Sequence, residues 1–100
     1  MQRLTRTTTR TLVAFLEGPG SWRYGYDLMK AADISSGTLY PLLARLTDAG
    51  WLESRWEESE LPGKPRRQLY RLTATGRVQA RHALERAQES WLRPPRPREA

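Results

Sequence analysis

The sequence predicts a mainly α protein with a small β-hairpin: a winged helix-turn-helix followed by a C-terminal dimerisation helix. Three observations point there. Three helical segments with apolar stripes fill the first half, two alternating segments flank a polar connection containing Pro and Gly, and a last seam of apolar residues recurs at helical spacing. With 100 residues and 38% hydrophobic content, the chain can bury one core and has no room for a second.

The first helix is expected from Thr7 to Glu17, with Leu12, Phe15 and Leu16 on one side, and Gly18-Pro19-Gly20 stopping it. Ser21-Trp22-Arg23 suits a short extended piece. Tyr24 to Ala32 reads as a second helix, turned inward through Tyr26 or Leu28 and through Met29. After the turn Asp33-Ile34-Ser35-Ser36-Gly37, which supplies cap residues, Leu39, Leu42, Leu43 and Leu46 form the stripe of a third helix that ends at Asp48-Ala49-Gly50. Pro41 places the start of that helix between Ser36 and Thr38, because proline lacks the N–H that a helix interior requires.

Trp51 to Glu57 and Arg67 to Leu72 alternate like strands, the first through Leu52 and Trp56, the second through Tyr70 and Leu72. The connection Glu58 to Arg66 is too long for a tight turn and should project into solvent. Thr73-Ala74-Thr75-Gly76 offers a cap for a fourth helix, whose seam is Ala80, Leu84, Ala87 and Trp91. The expected organisation is a DNA-binding unit over 1–73, a dimerisation helix over 74–92 and a disordered, basic, Pro-rich tail over 93–100.

Seventeen basic residues against eleven acidic ones give a net charge of +6, which favours a polyanionic partner, either nucleic acid or an anionic surface. All the basic residues except Lys30 and Lys64 are Arg. A GC-rich genome or selection for bidentate phosphate and guanine contacts would each produce that usage. The absence of cysteine excludes disulfide frameworks, thiolate zinc sites and cysteine nucleophiles. The single histidine, His82, lies on a helix rich in Arg and Glu, and no Gly-rich phosphate loop occurs, so no enzyme, cofactor or metal is expected. The first residues lack the apolar core of a signal peptide, and no apolar run approaches the roughly 18 residues of a membrane span. A cytoplasmic protein without a membrane partner is the expectation.

In a winged helix the third helix enters the major groove while the hairpin touches neighbouring backbone or the minor groove of double-stranded DNA. The small and polar residues Ser35, Ser36, Gly37, Thr38 and Tyr40 at the start of helix three suit phosphates and base edges, with Arg45 further along as a candidate base reader. Helix capping would by itself explain the hydroxyls of Ser35, Ser36 and Thr38 and can coexist with phosphate contact, and Tyr40 could be a core aromatic. Lys64, Arg66 and Arg67 form a basic cluster in the second half of the wing, whereas Glu57, Glu58 and Glu60 before it would repel DNA.

Several segments together are similar to the PadR family of winged-helix regulators. They are Gly25-Tyr26-Asp27-Leu28, Ser36-Gly37-Thr38-Leu39-Tyr40-Pro41 running on to Leu46, Gly50-Trp51-Leu52, and Gly63 to Thr73. The resemblance spans about residues 7 to 92 and corresponds to the short subgroup with a single C-terminal helix. It implies a homodimeric repressor on a pseudo-palindromic operator, with the last helix packed against the other subunit. Leu12, Leu16, Ala80, Leu84, Ala87 and Trp91 are the candidate dimer contacts. It also implies, for some members, a small aromatic effector, which here would sit at the dimer interface with Trp91 as a candidate stacking wall; a large aromatic on such a seam is ordinarily plain packing. The alternative reading is a winged helix that serves as a protein interaction module without specific DNA binding, since the fold does not fix the function.

Overall fold

The computed structural model describes residues 5–18, 20–58, 63 and 66–92, with side chains through residue 87. Its elements follow in the order α1 (Arg6–Leu16), β1 (Arg23–Tyr24), α2 (Gly25–Ala32), α3 (Ser36–Asp48), β2 (Leu52–Trp56), β3 (Gln68–Leu72) and α4 (Ala74–Leu92). The expected hairpin is joined by a third strand: β1 pairs with β3, giving an antiparallel sheet of order β1-β3-β2. The extended piece before helix two therefore ends as an edge strand, with Arg23 opposite Tyr70 and Tyr24 opposite Leu69.

Helix α1 begins where the Thr5 hydroxyl accepts from the Thr8 N–H at 3.1 Å, and its buried Thr11 is satisfied by donating to the Thr7 carbonyl at 2.8 Å. Helix α2 turns Leu28 fully inward and leaves Tyr26 exposed, which settles the choice left open between them. It closes on Asp33 in the left-handed region, at φ 54°, a conformation that Asp and Asn tolerate better than most side chains. Only three residues then separate α2 from α3, the helix-turn-helix connection.

Helix α3 starts at Ser36, so Pro41 is its sixth residue. The missing N–H leaves the Gly37 carbonyl without its helical donor. Both residues are exposed, and water can serve that carbonyl. The core gathers Leu12 and Phe15 from α1, Leu28 from α2, and Leu39, Leu42, Leu43 and Leu46 from α3 against Leu52, Tyr70 and Leu72 of the sheet. Burying each such leucine or phenylalanine contributes about 1.5–3 kcal/mol, and the shared cluster is what fixes α3 relative to the sheet.

Leu12 and Ala80, expected at a dimer interface, are both 0% exposed within the single protomer. They belong to its own core and present no surface to a second chain. Leu84 and Leu16 are partly buried against the same cluster, and Ala87 is half-buried. The side chain of Trp91, Lys64 and the tail 93–100 lie outside the described residues.

The first turn of α4 is locked to the start of β2. Thr73 donates its hydroxyl to the Gly50 carbonyl at 2.7 Å and its N–H to the Trp51 carbonyl at 2.9 Å, while its hydroxyl oxygen accepts from the Gly76 N–H at 2.9 Å. A side chain on Gly76 would collide with the Trp51 carbonyl oxygen, so only glycine permits this approach.

Candidate nucleic-acid interface

The buried stripe of α3 fixes what its opposite side presents. Leu39, Leu42, Leu43 and Leu46 point into the core, so Gly37, Pro41, Ala44 and Asp48, spaced by four, three and four, occupy the centre of the exposed face. Tyr40 lies on one flank, and Thr38 and Arg45 lie on the other, all exposed. From the sequence Pro41 is read only as a marker of the helix start and Ala44 has no assigned role, although the same leucine periodicity places both there. Their small apolar surface is compatible with close approach to a groove floor. Asp48 puts a negative charge at the C-terminal end, leaving the N-terminal turn as the more favourable side for an anion.

Ser35 stands at the N-cap with an extended backbone and makes no capping hydrogen bond through its side chain. Its hydroxyl faces the Thr38 hydroxyl at 3.2 Å instead. The capping explanation for these hydroxyls is thereby weakened, because the N–H groups at the start of α3 receive no side-chain acceptor from Ser35. Those groups and the positive end of the helix dipole suit a phosphate oxygen.

Tyr40 is neither a core residue nor a free one. It is 45% exposed, and its ring reaches back over α2, where a Cβ added to Gly25 would come within 2.5 Å of the phenolic oxygen. Glycine at position 25 makes room for it. Beneath it, the Tyr70 hydroxyl donates to Gln68 Oε1 at 3.0 Å, and Gln68 Nε2 donates to Ser54 Oγ at 3.1 Å. Burial, and secondarily the neighbouring Tyr40, raise the Tyr70 pKa above its ordinary 10.0.

The sheet register separates two faces. Leu52, Ser54 and Trp56 share the face with Gln68, Tyr70 and Leu72, while Glu53 and Arg55 share the other with Leu69 and Arg71. On that second face two guanidiniums lie over the Trp22 ring, Arg55 at 4.5 Å and Arg71 at 4.3 Å from its centroid, and Arg71 also pairs with Glu53. These arginines are committed to the sheet and explain why so basic a chain keeps part of its charge off the interface.

Arg67, expected to grip DNA, is also engaged. Its guanidinium lies over the Tyr24 ring at 4.2 Å, and its Nε is 3.6 Å from Glu57 Oε1. The Tyr24 hydroxyl donates to the same carboxylate, and this hydrogen bond is the first cause of a raised Tyr24 pKa. Arg66 is exposed beside it. Among the described residues no cluster of His, Asp or Glu suits a metal ion, and no helix is long and apolar enough to cross a membrane.

A helix-turn-helix with an exposed recognition turn, flanked by a two-stranded wing, defines the winged-helix class of DNA-binding fold. The family model of the transcriptional regulator PadR-like family matches residues 19–82. This chain belongs to the PadR-like family of transcriptional regulators, whose members bind DNA and are not enzymes. A PadR-like transcription factor from Bacteroides fragilis is 30% identical, with a TM-score of 0.65, over 86% of this chain and 85% of that one. The protein smu.1704 from Streptococcus mutans shares the fold at 23% identity and a TM-score of 0.69, over 91% and 86% of the two chains. The PcaV transcriptional regulator from Streptomyces coelicolor, solved in complex with its natural ligand, shares it at 22% identity and a TM-score of 0.66, over 91% and 62%. No curated protein matches the sequence.

Proposed function

We propose that this regulator binds double-stranded DNA through the N-terminal turn of α3 and the wing, acting as a homodimeric repressor on a pseudo-palindromic operator. The observation that carries the reading is the Ser35 hydroxyl, which does not cap α3 and so leaves its first turn open to a phosphate. Ser35, Ser36, Gly37 and Thr38 anchor the backbone, Tyr40 sets register from its seat on Gly25, and Arg45 reads a base edge. Arg66, Arg67 and Lys64 add sequence-independent grip, with Arg67 exchanging Glu57 for a phosphate.

The dimer forms through α4, with Leu84, Ala87 and Trp91 as its contacts and Leu16 alongside, a narrower set than the one expected from sequence. A small aromatic effector that enters this interface against Trp91 releases the DNA. The protein works in the cytoplasm, as regulation of promoter DNA requires. A gel shift with the DNA upstream of its own gene tests the reading. Retardation that weakens steeply with salt is expected, and no preference for that DNA over a scrambled duplex would overturn the assignment as a specific regulator.

A further inference from the structure

Three aromatic side chains among the described residues are exposed, and all three open onto one place: Tyr26 (57%), Tyr40 (45%) and Trp56 (59%). They line a cleft of about 320 Å³ between the start of α2, α3 and the wing, with Tyr24, Arg66 and Arg67. Exposing that much ring surface costs solvation free energy, and the core does not need it, because Leu52 and Tyr70 already cover the same sheet face deeper in.

The duplex itself supplies the occupant. Adjacent major and minor grooves are separated by one sugar-phosphate strand, so a protein with α3 in the first and its wing at the second must straddle that strand. The cleft is the gap between those two elements. Its chemistry is divided as a nucleotide backbone is divided: aromatic faces suit the C–H surface of a deoxyribose, while guanidiniums and phenolic hydroxyls suit the phosphate oxygens.

We infer that this cleft seats one deoxyribose-phosphate segment of the duplex, with Trp56 and Tyr26 supplying a non-ionic grip on the sugar and Arg66 pairing with its phosphate. The inference rests on the DNA-binding reading and adds residues to it. Trp56 stands at the end of β2 opposite Gln68, and Tyr26 in the first turn of α2, so the grip comes from the wing on one side and the helix-turn-helix on the other. The sugar contact of Trp56 and Tyr26 carries no base information and releases no counterion, whereas the pairing of Arg66 with the phosphate does release counterion.

The test measures anisotropy of a labelled upstream duplex and of a scrambled duplex with the full chain, over a salt series. Trp56→Ala and Tyr26→Ala should each weaken both duplexes by a similar factor, about tenfold for the indole, with the log–log salt slope unchanged. Arg66→Ala should lower that slope by about one. Trp56→Phe should retain most of the affinity, and because Trp56, Tyr26 and Arg66 are all exposed, thermal melts of the variants should lie close to the parent's. Unchanged affinity in Trp56→Ala, or a loss confined to the upstream duplex, would overturn the cleft assignment while leaving the DNA-binding reading standing. Failure of the unmodified chain to bind either duplex would overturn both.

Discussion

The guanidinium of Arg67 lies over the ring of Tyr24, 4.2 Å from its centroid, and both side chains share the carboxylate of Glu57. The arrangement holds a wing cation in place before any DNA arrives, and also offsets its charge. An approaching phosphate must compete with Glu57 for Arg67.

The first prediction follows from that competition. Glu57→Gln removes one negative charge from the wing while keeping a side chain that can accept from Tyr24. DNA affinity should rise severalfold at low salt, and the salt slope should steepen by up to about one, because Arg67 then meets phosphate with its charge uncompensated. Weaker binding by this variant would show that positioning of Arg67 by Glu57 outweighs the offset charge.

A second prediction concerns the joint between wing and last helix. Gly76→Ala forces a methyl group against the Trp51 carbonyl, a backbone atom held by the Thr73 N–H, so neither side can yield without moving α4. The expected loss is about 3 kcal/mol or more of unfolding free energy in urea melts. Thr73→Val, which removes the hydroxyl bonds to Gly50 and Gly76, should cost about 1–2 kcal/mol. A Gly76→Ala midpoint equal to the parent's would refute the close approach.

How much of this was legible in the sequence depends on the length scale of the signal. The leucine stripe of α3 and the breaker Gly18-Pro19-Gly20 are local patterns, and the elements they imply were found. Strand β1 was readable only as an extended piece, because two residues carry no periodicity and their pairing with Tyr70 and Leu69 is long-range. Leu12 and Ala80 are buried within the protomer, which their periodicity could not reveal: an apolar seam shows that a face is buried but not whether its own chain or another covers it. Trp56 fitted the alternation of its strand, but the core does not extend that far along the sheet, and the exposed indole became visible only in three dimensions. Within the proposed interface, the basic character of the wing was legible from composition. The engagement of Arg67 by Tyr24 and Glu57 was not, since Tyr24 and Glu57 stand 33 residues apart in the chain.

The third prediction uses Gly25 to move Tyr40 without touching the wing. A Cβ at position 25 would meet the end of the Tyr40 ring, and a side chain on a rotatable bond can swing away where a backbone atom cannot. Gly25→Ala should therefore cost little stability, and could recover some through helix propensity, while displacing Tyr40 from its seat. Operator affinity should fall by about as much as in Tyr40→Ala, and the double variant should add little to either. Full additivity of the two losses would show that Tyr40 does not act from Gly25.

The last prediction is alkaline. Tyr70 is buried at 6% exposure, and burial raises its pKa above 10.0, with Tyr40 adding to the shift. The native protein therefore holds the Tyr70 proton at a pH where the unfolded chain has begun to release it. The stability linked to this group is complete below about pH 10 and is lost as pH rises from there through the folded pKa. Tyr70→Phe cannot ionise, but it forfeits the hydrogen bond to Gln68 and should cost about 1 kcal/mol at neutral pH. Urea melts of the parent and Tyr70→Phe between about pH 8 and pH 11 should show a gap that narrows above pH 10 as the parent loses its advantage. Because Tyr24 is raised as well and titrates in both proteins, it cancels in the comparison. A gap that stays constant across that range would mean that Tyr70 ionises equally in the folded and unfolded chains.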